Sequence, residues 1–138
     1  MILPQNISIS TNKDLLDLPM IQTFLRQSYW AKDRSPEIIQ TSIEHSFCFG
    51  LYDNEQQIGF ARVVSDCCIF AYIMDVFVLD NYRGQGLGKL LMQHILNESH
   101  LNKVKKWMLG TRDAHGLYRQ LGFTDIPAPE LWMQYVRS

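Results

Sequence analysis

The chain has 138 residues, which is room for a single domain over 1–138 and not for two. Hydrophobic residues make up 46% and charged residues 20%, enough for an ordinary core and far from the composition of a disordered chain. A net charge of -1 removes any global attraction to nucleic acid or to an anionic membrane, so affinity for phosphate must be built locally.

Ile7 to Ser10 alternates apolar and polar residues as a half-buried strand does. Residues 14 to 28 predict a helix with Leu18, Ile21 and Leu25 on one face. Ser35-Pro36 then supplies an N-cap with proline at the first helical position, and a second helix is expected to about Glu44, turning Ile39 and Ile43 inward. Ser46 to Tyr52 and Gln57 to Val64 read as strands joined by the turn Asp53-Asn54-Glu55-Gln56, and Ile69 to Leu79 as a third. After Gly86, residues Leu87, Leu90, Leu91, His94 and Ile95 recur at the spacing of an apolar helix face. Lys105 to Gly110 predicts a short strand, Ala114 to Leu121 a short helix closed by Gly122, and Trp132 to Val136 a last strand. This order implies an α+β domain with a mixed, mostly antiparallel central sheet and helices on both faces.

The start MILPQNISIS lacks the basic and apolar regions of a secretory signal, and no apolar run nears the ~20 residues that span a bilayer. A cytoplasmic protein with no membrane partner is the expectation. Three cysteines, two of them adjacent, and four scattered histidines make neither a disulfide framework nor a metal site, so no metal is expected. The cysteines read as small buried hydrophobes.

Chemistry concentrates in Asp75-Val76-Phe77-Val78-Leu79-Asp80-Asn81-Tyr82-Arg83-Gly84-Gln85-Gly86-Leu87-Gly88-Lys89. A strand enters a glycine-rich loop, and the loop opens an amphipathic helix. The first N–H groups of a helix lack internal partners and sit at the positive end of its dipole, so such a turn binds phosphate without a basic protein around it. A Walker A loop is excluded because Arg83 and Leu90 stand where it needs glycine and Ser or Thr. The dinucleotide fingerprint is excluded because Gly84, Gly86 and Gly88 are spaced by two throughout.

The loop resembles the acetyl-CoA loop of the GNAT superfamily of N-acetyltransferases, which Arg83, Gly86 and Gly88 match. A second segment, Ala114-His115-Gly116-Leu117-Tyr118-Arg119-Gln120-Leu121-Gly122-Phe123, is similar to a later motif of that family, and the element order resembles its fold over essentially the whole chain. The resemblance implies acetyl-CoA as co-substrate. It implies that backbone groups of Val76, Phe77 and Val78 pair with the pantetheine arm, with the Val78 N–H on the thioester carbonyl. Arg83, Gly84, Gln85, Gly86, Leu87, Gly88 and Lys89 would form the pyrophosphate loop. Tyr118 matches the general acid that protonates the departing thiolate. Thr111 stands where many members of the family carry an asparagine that touches pantetheine; the resemblance implies the same contact, which here would fall to a hydroxyl.

The general base is the open point. Asp75, the only carboxylate within the Ile69 to Leu79 strand, is the first candidate, and an ion pair with Arg62 is the alternative. His115 is a weaker one. Strand alternation puts Asp75 on the Phe77 face, opposite Tyr72, Met74 and Val76. Asp113 sits where an N-cap belongs. Tyr29, Trp30, Arg34 and Tyr72 are the candidate acceptor site, with core packing the alternative for Tyr29-Trp30. The expected reaction is acetyl transfer from acetyl-CoA to a primary amine of a small molecule or peptide, by direct attack in a ternary complex. A CoA-binding sensor and a protein-lysine acetyltransferase are the competing functions. A homodimer is left open.

Overall fold

The computed structural model describes residues 3–138. Strand β1 (Ile7–Ser10) leads to helix α1 (Leu18–Gln27) and helix α2 (Pro36–Glu44). Strands β2 (Phe47–Asp53), β3 (Gln56–Ser65) and β4 (Phe70–Val78) follow, then helix α3 (Leu87–Leu96), strand β5 (Lys106–Leu109) and helix α4 (His115–Gln120). The strands form one sheet in the order β1-β2-β3-β4-β5, the first four antiparallel and β5 parallel to β4. This is the mixed, mostly antiparallel α+β architecture expected.

Both faces of the sheet are covered. One core joins Ile21 and Leu25 of α1 with Ile39 and Ile43 of α2, against Cys48, Phe60 and Phe77. Phe24 stacks on Phe77 at 3.9 Å between ring centroids. On the opposite face, Leu91, Met92 and Ile95 of α3 and Tyr118 of α4 pack on Phe49, Ala61, Val63, Ala71 and Ile73. The Cys48 thiol is buried, and burial pushes its pKa up to about 11, as suits a small hydrophobe. Cys67 is partly buried and packs against the core of the opposite face, whereas Cys68 is exposed in the β3–β4 turn and departs from the expectation.

Two expected elements differ. The first helix starts at Leu18 instead of 14, after a short 3-10 turn at Lys13–Leu15. Pro19 has no N–H and fits only the first helical turn, and the Asp17 carboxylate caps it by accepting from the Met20 amide. The strand expected over 132–136 is not formed. A 3-10 turn at Pro129–Leu131 follows Ala128 at φ 53°, and the tail beyond it is exposed. Pro127 and Pro129 cannot donate to a ladder, and strand propensity without a pairing edge does not make a strand.

Two features of β4 position the site. It pairs with β5 only through Phe70 to Ile73, so Met74 to Val78 have no β5 partner and the two strands splay. It also bulges: between the pairs Phe60–Phe77 and Arg62–Met74, β4 carries one residue more than β3. Asp75 sits in the bulge at φ 56°.

Candidate active site

A cleft of about 1030 Å³ opens where β4 and β5 part. Its walls come from both faces of the sheet. Tyr29, Trp30 and Arg34 enter from the α1–α2 connection, Thr111 to Ala114 from the β5–α4 connection, Tyr118 from α4, and Tyr72 to Phe77 from β4. All four candidate acceptor residues, Tyr29, Trp30, Arg34 and Tyr72, therefore meet in one cavity with Tyr118 and Asp75. Tyr29 and Trp30 are half-exposed and pack edge to face, with ring centroids 5.1 Å apart, so they line the cleft and do not fill the core.

The Asp75 carboxylate is fully engaged. Trp30 Nε1 donates to Oδ1 at 2.9 Å, Arg34 Nη1 donates to Oδ1 at 2.9 Å and to Oδ2 at 2.8 Å, and Arg62 Nε donates to Oδ2 at 2.9 Å. Its side chain is 1% exposed, against 8% for Arg62 and 22% for Arg34. The geometry is the ion-pair alternative, extended by a second arginine and an indole. The bulge also corrects the facing expected from strict alternation. Asp75 does share the α1–α2 face with Phe77, but Met74 is there too, since Arg62 reaches both Met74 Sδ and Asp75 Oδ2. The extra residue and its positive φ turn two consecutive side chains to one side.

Asp75→Asn would leave Arg62 and Arg34 without their counter-charge. Breaking a buried ion pair on one side costs about 3–5 kcal/mol. The expected outcome is a matching drop in the midpoint of urea or thermal unfolding. An unchanged midpoint would show that the cluster contributes nothing to stability.

Tyr118 is 9% exposed, its ring edge to face with Phe123 at 5.6 Å. Burial, and secondarily the neighbouring Tyr29, push its phenol above the ordinary value, so it holds its proton at neutral pH. Thr111 lines the cleft, but its hydroxyl oxygen already accepts from the Ala114 amide at 3.1 Å and so pins the entry to α4. Asp113 does not cap α4; the N-cap is Ala114, without a side-chain bond, and Asp113 is exposed in the cleft wall. His115 is exposed and outside the lining. Arg112, which no sequence pattern marks, lies with its guanidinium carbon 3.6 Å from the centre of the Tyr29 ring.

At the other end, Asp80 and Arg83 line the cleft, and Arg83 Nε donates to the Val78 carbonyl at 3.2 Å. Val76 and Phe77 are in the wall, whereas Val78 and the loop from Gly84 to Lys89 lie beyond it, past Arg83. Gly84 and Gly86 take φ of 79° and 76°, and Gly86 is the N-cap of α3 with no side-chain bond to the helix. Chain neighbours and the helix's own backbone aside, a Cβ built on Gly84, Gly86 or Gly88 meets no atom of the described residues within 4 Å. Protein packing therefore does not demand glycine at Gly88; open space above the first-turn amides does allow a ligand to approach them.

The family model described as an acetyltransferase (GNAT) domain matches residues 44–125, more than half of the chain. The chain belongs to the GNAT acetyltransferases. A crystal structure assigned to the GNAT family, from Xanthomonas campestris pv. campestris, is 40% identical, with a TM-score of 0.92 over 98% of this chain and 95% of that one. A protein of Gibberella zeae named as an acetyltransferase is 29% identical over 142 residues, covering 85% of this chain and 78% of the relative. A GNAT acetyltransferase from Elizabethkingia anophelis with acetyl-CoA bound shares the fold at a TM-score of 0.70 and 20% identity, over 90% of this chain and 80% of that one.

As a GNAT member the protein is an acetyl-CoA-dependent N-acetyltransferase, and its own residues fit that co-substrate. The splayed β4 edge is free for an amide-bearing arm, and the uncapped N-terminus of α3 is free for a diphosphate. Among the described residues no group of His, Cys, Asp or Glu side chains forms a metal site, and no helix is long and apolar enough to cross a membrane.

Proposed function

We propose that this GNAT enzyme transfers acetyl to the primary amine of a small molecule or peptide by direct attack, with both substrates bound at once. The observation that carries the proposal is the single cleft through the β4–β5 gap. It brings Tyr118 from one face of the sheet and Tyr29, Trp30 and Arg34 from the other. Its size, at the top of the ~300–1,000 Å³ range of ligand sites, leaves room for two partners.

Acetyl-CoA, when bound, supplies the acetyl group as an activated thioester. Backbone groups of Val76, Phe77 and Val78 would hold its arm as a substitute strand, with the Val78 N–H at the thioester carbonyl. Amides from Gly84 to Lys89, with Arg83 beside them, would hold the pyrophosphate. Tyr118 gives its proton to the leaving thiolate. Asp75 acts as a positioning residue: it fixes Trp30 and Arg34 in the acceptor wall, its oxygens being occupied. The incoming ammonium loses one proton to solvent in the open cleft before it attacks, and the second proton its nitrogen gives up on forming the amide replaces the one Tyr118 gives to the thiolate.

Thiol release from acetyl-CoA, measured across polyamines, aminoglycosides, amino acids and peptides, tests this. Amine-dependent release is expected, with intersecting initial-rate lines as both substrates are varied. Parallel lines would replace direct attack by a covalent enzyme intermediate. Silence across the panel despite tight CoA binding would favour a sensor.

A further inference from the structure

The geometry points to an acceptor that carries a carboxylate beside its amine, held by Arg34, with Arg112 in the same cleft wall. This rests on the acetyl-transfer proposal and names the substrate class of the same site. Arg34 contacts Asp75 through Nη1 alone. Among the described residues its Nε and Nη2, the two donors of the side-on fork, have no hydrogen-bond partner, and the side chain is part-exposed in the cleft wall. Two parallel N–H donors at fixed spacing match the two oxygens of a carboxylate. The Asp75 pair holds the guanidinium in place, and the Trp30 indole anchors the same carboxylate, so little is lost in ordering Arg34 on binding.

Arg112 supports the same charge. Its guanidinium carbon lies 3.6 Å from the Tyr29 ring centre, and among the described residues its side chain has no hydrogen-bond or ion-pair partner. At this end the cleft lining carries Arg34 and Arg112 against Asp75 and Asp113, and Arg62, buried behind the lining, pairs with Asp75 as a third guanidinium. The surplus of one positive charge suits a monoanion and disfavours a polyamine. Tyr29, Trp30 and Tyr72 add aromatic surface for the body of the acceptor. An amine with a nearby carboxylate is an amino acid or the equivalent end of a small amino acid derivative.

Binding of acetylated products tests the inference apart from turnover. Calorimetry on the CoA-saturated protein would compare N-acetylphenylalanine, N-acetylleucine and N-acetylglycine, each with its primary amide. At least one acid is expected to bind tenfold or more tightly than its amide. Arg34→Lys keeps a cation for Asp75 but removes the fork, and should bring that ratio below threefold with CoA affinity unchanged. Arg112→Gln should lower it in part. Ratios near one for all three pairs in the unaltered protein overturn the inference, and so does a ratio that survives Arg34→Lys. Selective binding of the acids without thiol release from any amine would leave carboxylate recognition standing and remove acetyl transfer. Thiol release from neutral amines as efficient as from amino acids would do the reverse.

Discussion

Tyr118→Phe is expected to lower kcat by about 100-fold or more, the range in which a positioned general acid contributes, while the Kd for acetyl-CoA changes by less than about threefold. The substitution removes one hydroxyl and little else. The Tyr118 backbone stays fixed, since its carbonyl accepts from the amides of Leu121 and Phe123, both at 3.0 Å. The ring keeps its contact with Phe123. A fall in kcat therefore reports lost proton delivery, not a displaced helix. Burial and Tyr29 raise the phenol above the ordinary value near 10. An acid must be protonated to work, so its loss limits the rate only on the alkaline side. No falling limb from this group should appear until the pH passes about 10. Equal kcat in the variant would remove Tyr118 from the chemistry, and a limb below pH 9 that disappears in the variant would contradict the direction of the shift.

The features legible in the sequence were those with a local cause. The glycine loop and α3 announce themselves because positive φ at Gly84 and Gly86, and the apolar stripe after them, depend on neighbours only a few residues away. The hairpin strands β2 and β3 follow from alternation and an intervening turn in the same way. Pro19 was an equally local signal for the start of α1, and it outweighs the apolar periodicity that suggested an earlier start. The bulge at Asp75 is different in kind. Its φ of 56° is unusual for a residue other than glycine. The side chain ends between Arg62, 13 residues away, and Trp30 and Arg34, 45 and 41 residues away. Period-2 alternation cannot register a residue that the tertiary structure inserts. For the same reason the sequence leaves Asp75 open between general base and ion pair with Arg62, and gives no sign of Trp30 and Arg34 as further partners. Arg112 gave no signal at all, because one arginine after a short strand is indistinguishable from a solvated side chain until Tyr29 is found beneath it.

Gly86→Asp is expected to weaken binding of CoA by about 100-fold or more while leaving the protein folded. The reason lies in how the same amides would be used. Gly86 is the N-cap of α3, and the helix's first-turn N–H groups have no side-chain cap. An aspartate there is a good N-cap, since its carboxylate can accept from the N2 or N3 amide and it also suits the positive end of the helix dipole. Apart from its chain neighbours no atom of the described residues lies within 4 Å of the new Cβ, so there is no clash, and the strain at φ 76° costs of order 1–3 kcal/mol, partly offset by the cap. Stability should thus change little. The donors offered to the pyrophosphate would now be occupied, and a fixed negative charge would face it. Each lost charge-assisted bond is worth about 1.5–3 kcal/mol, so two of them already account for a 100-fold loss. Gly86→Ala carries the same backbone strain without charge or cap, and should weaken binding by no more than about tenfold. Calorimetry with CoA, beside an unfolding curve for each variant, separates the two effects. Full affinity in a folded Gly86→Asp protein would mean that the pyrophosphate does not rest on this turn.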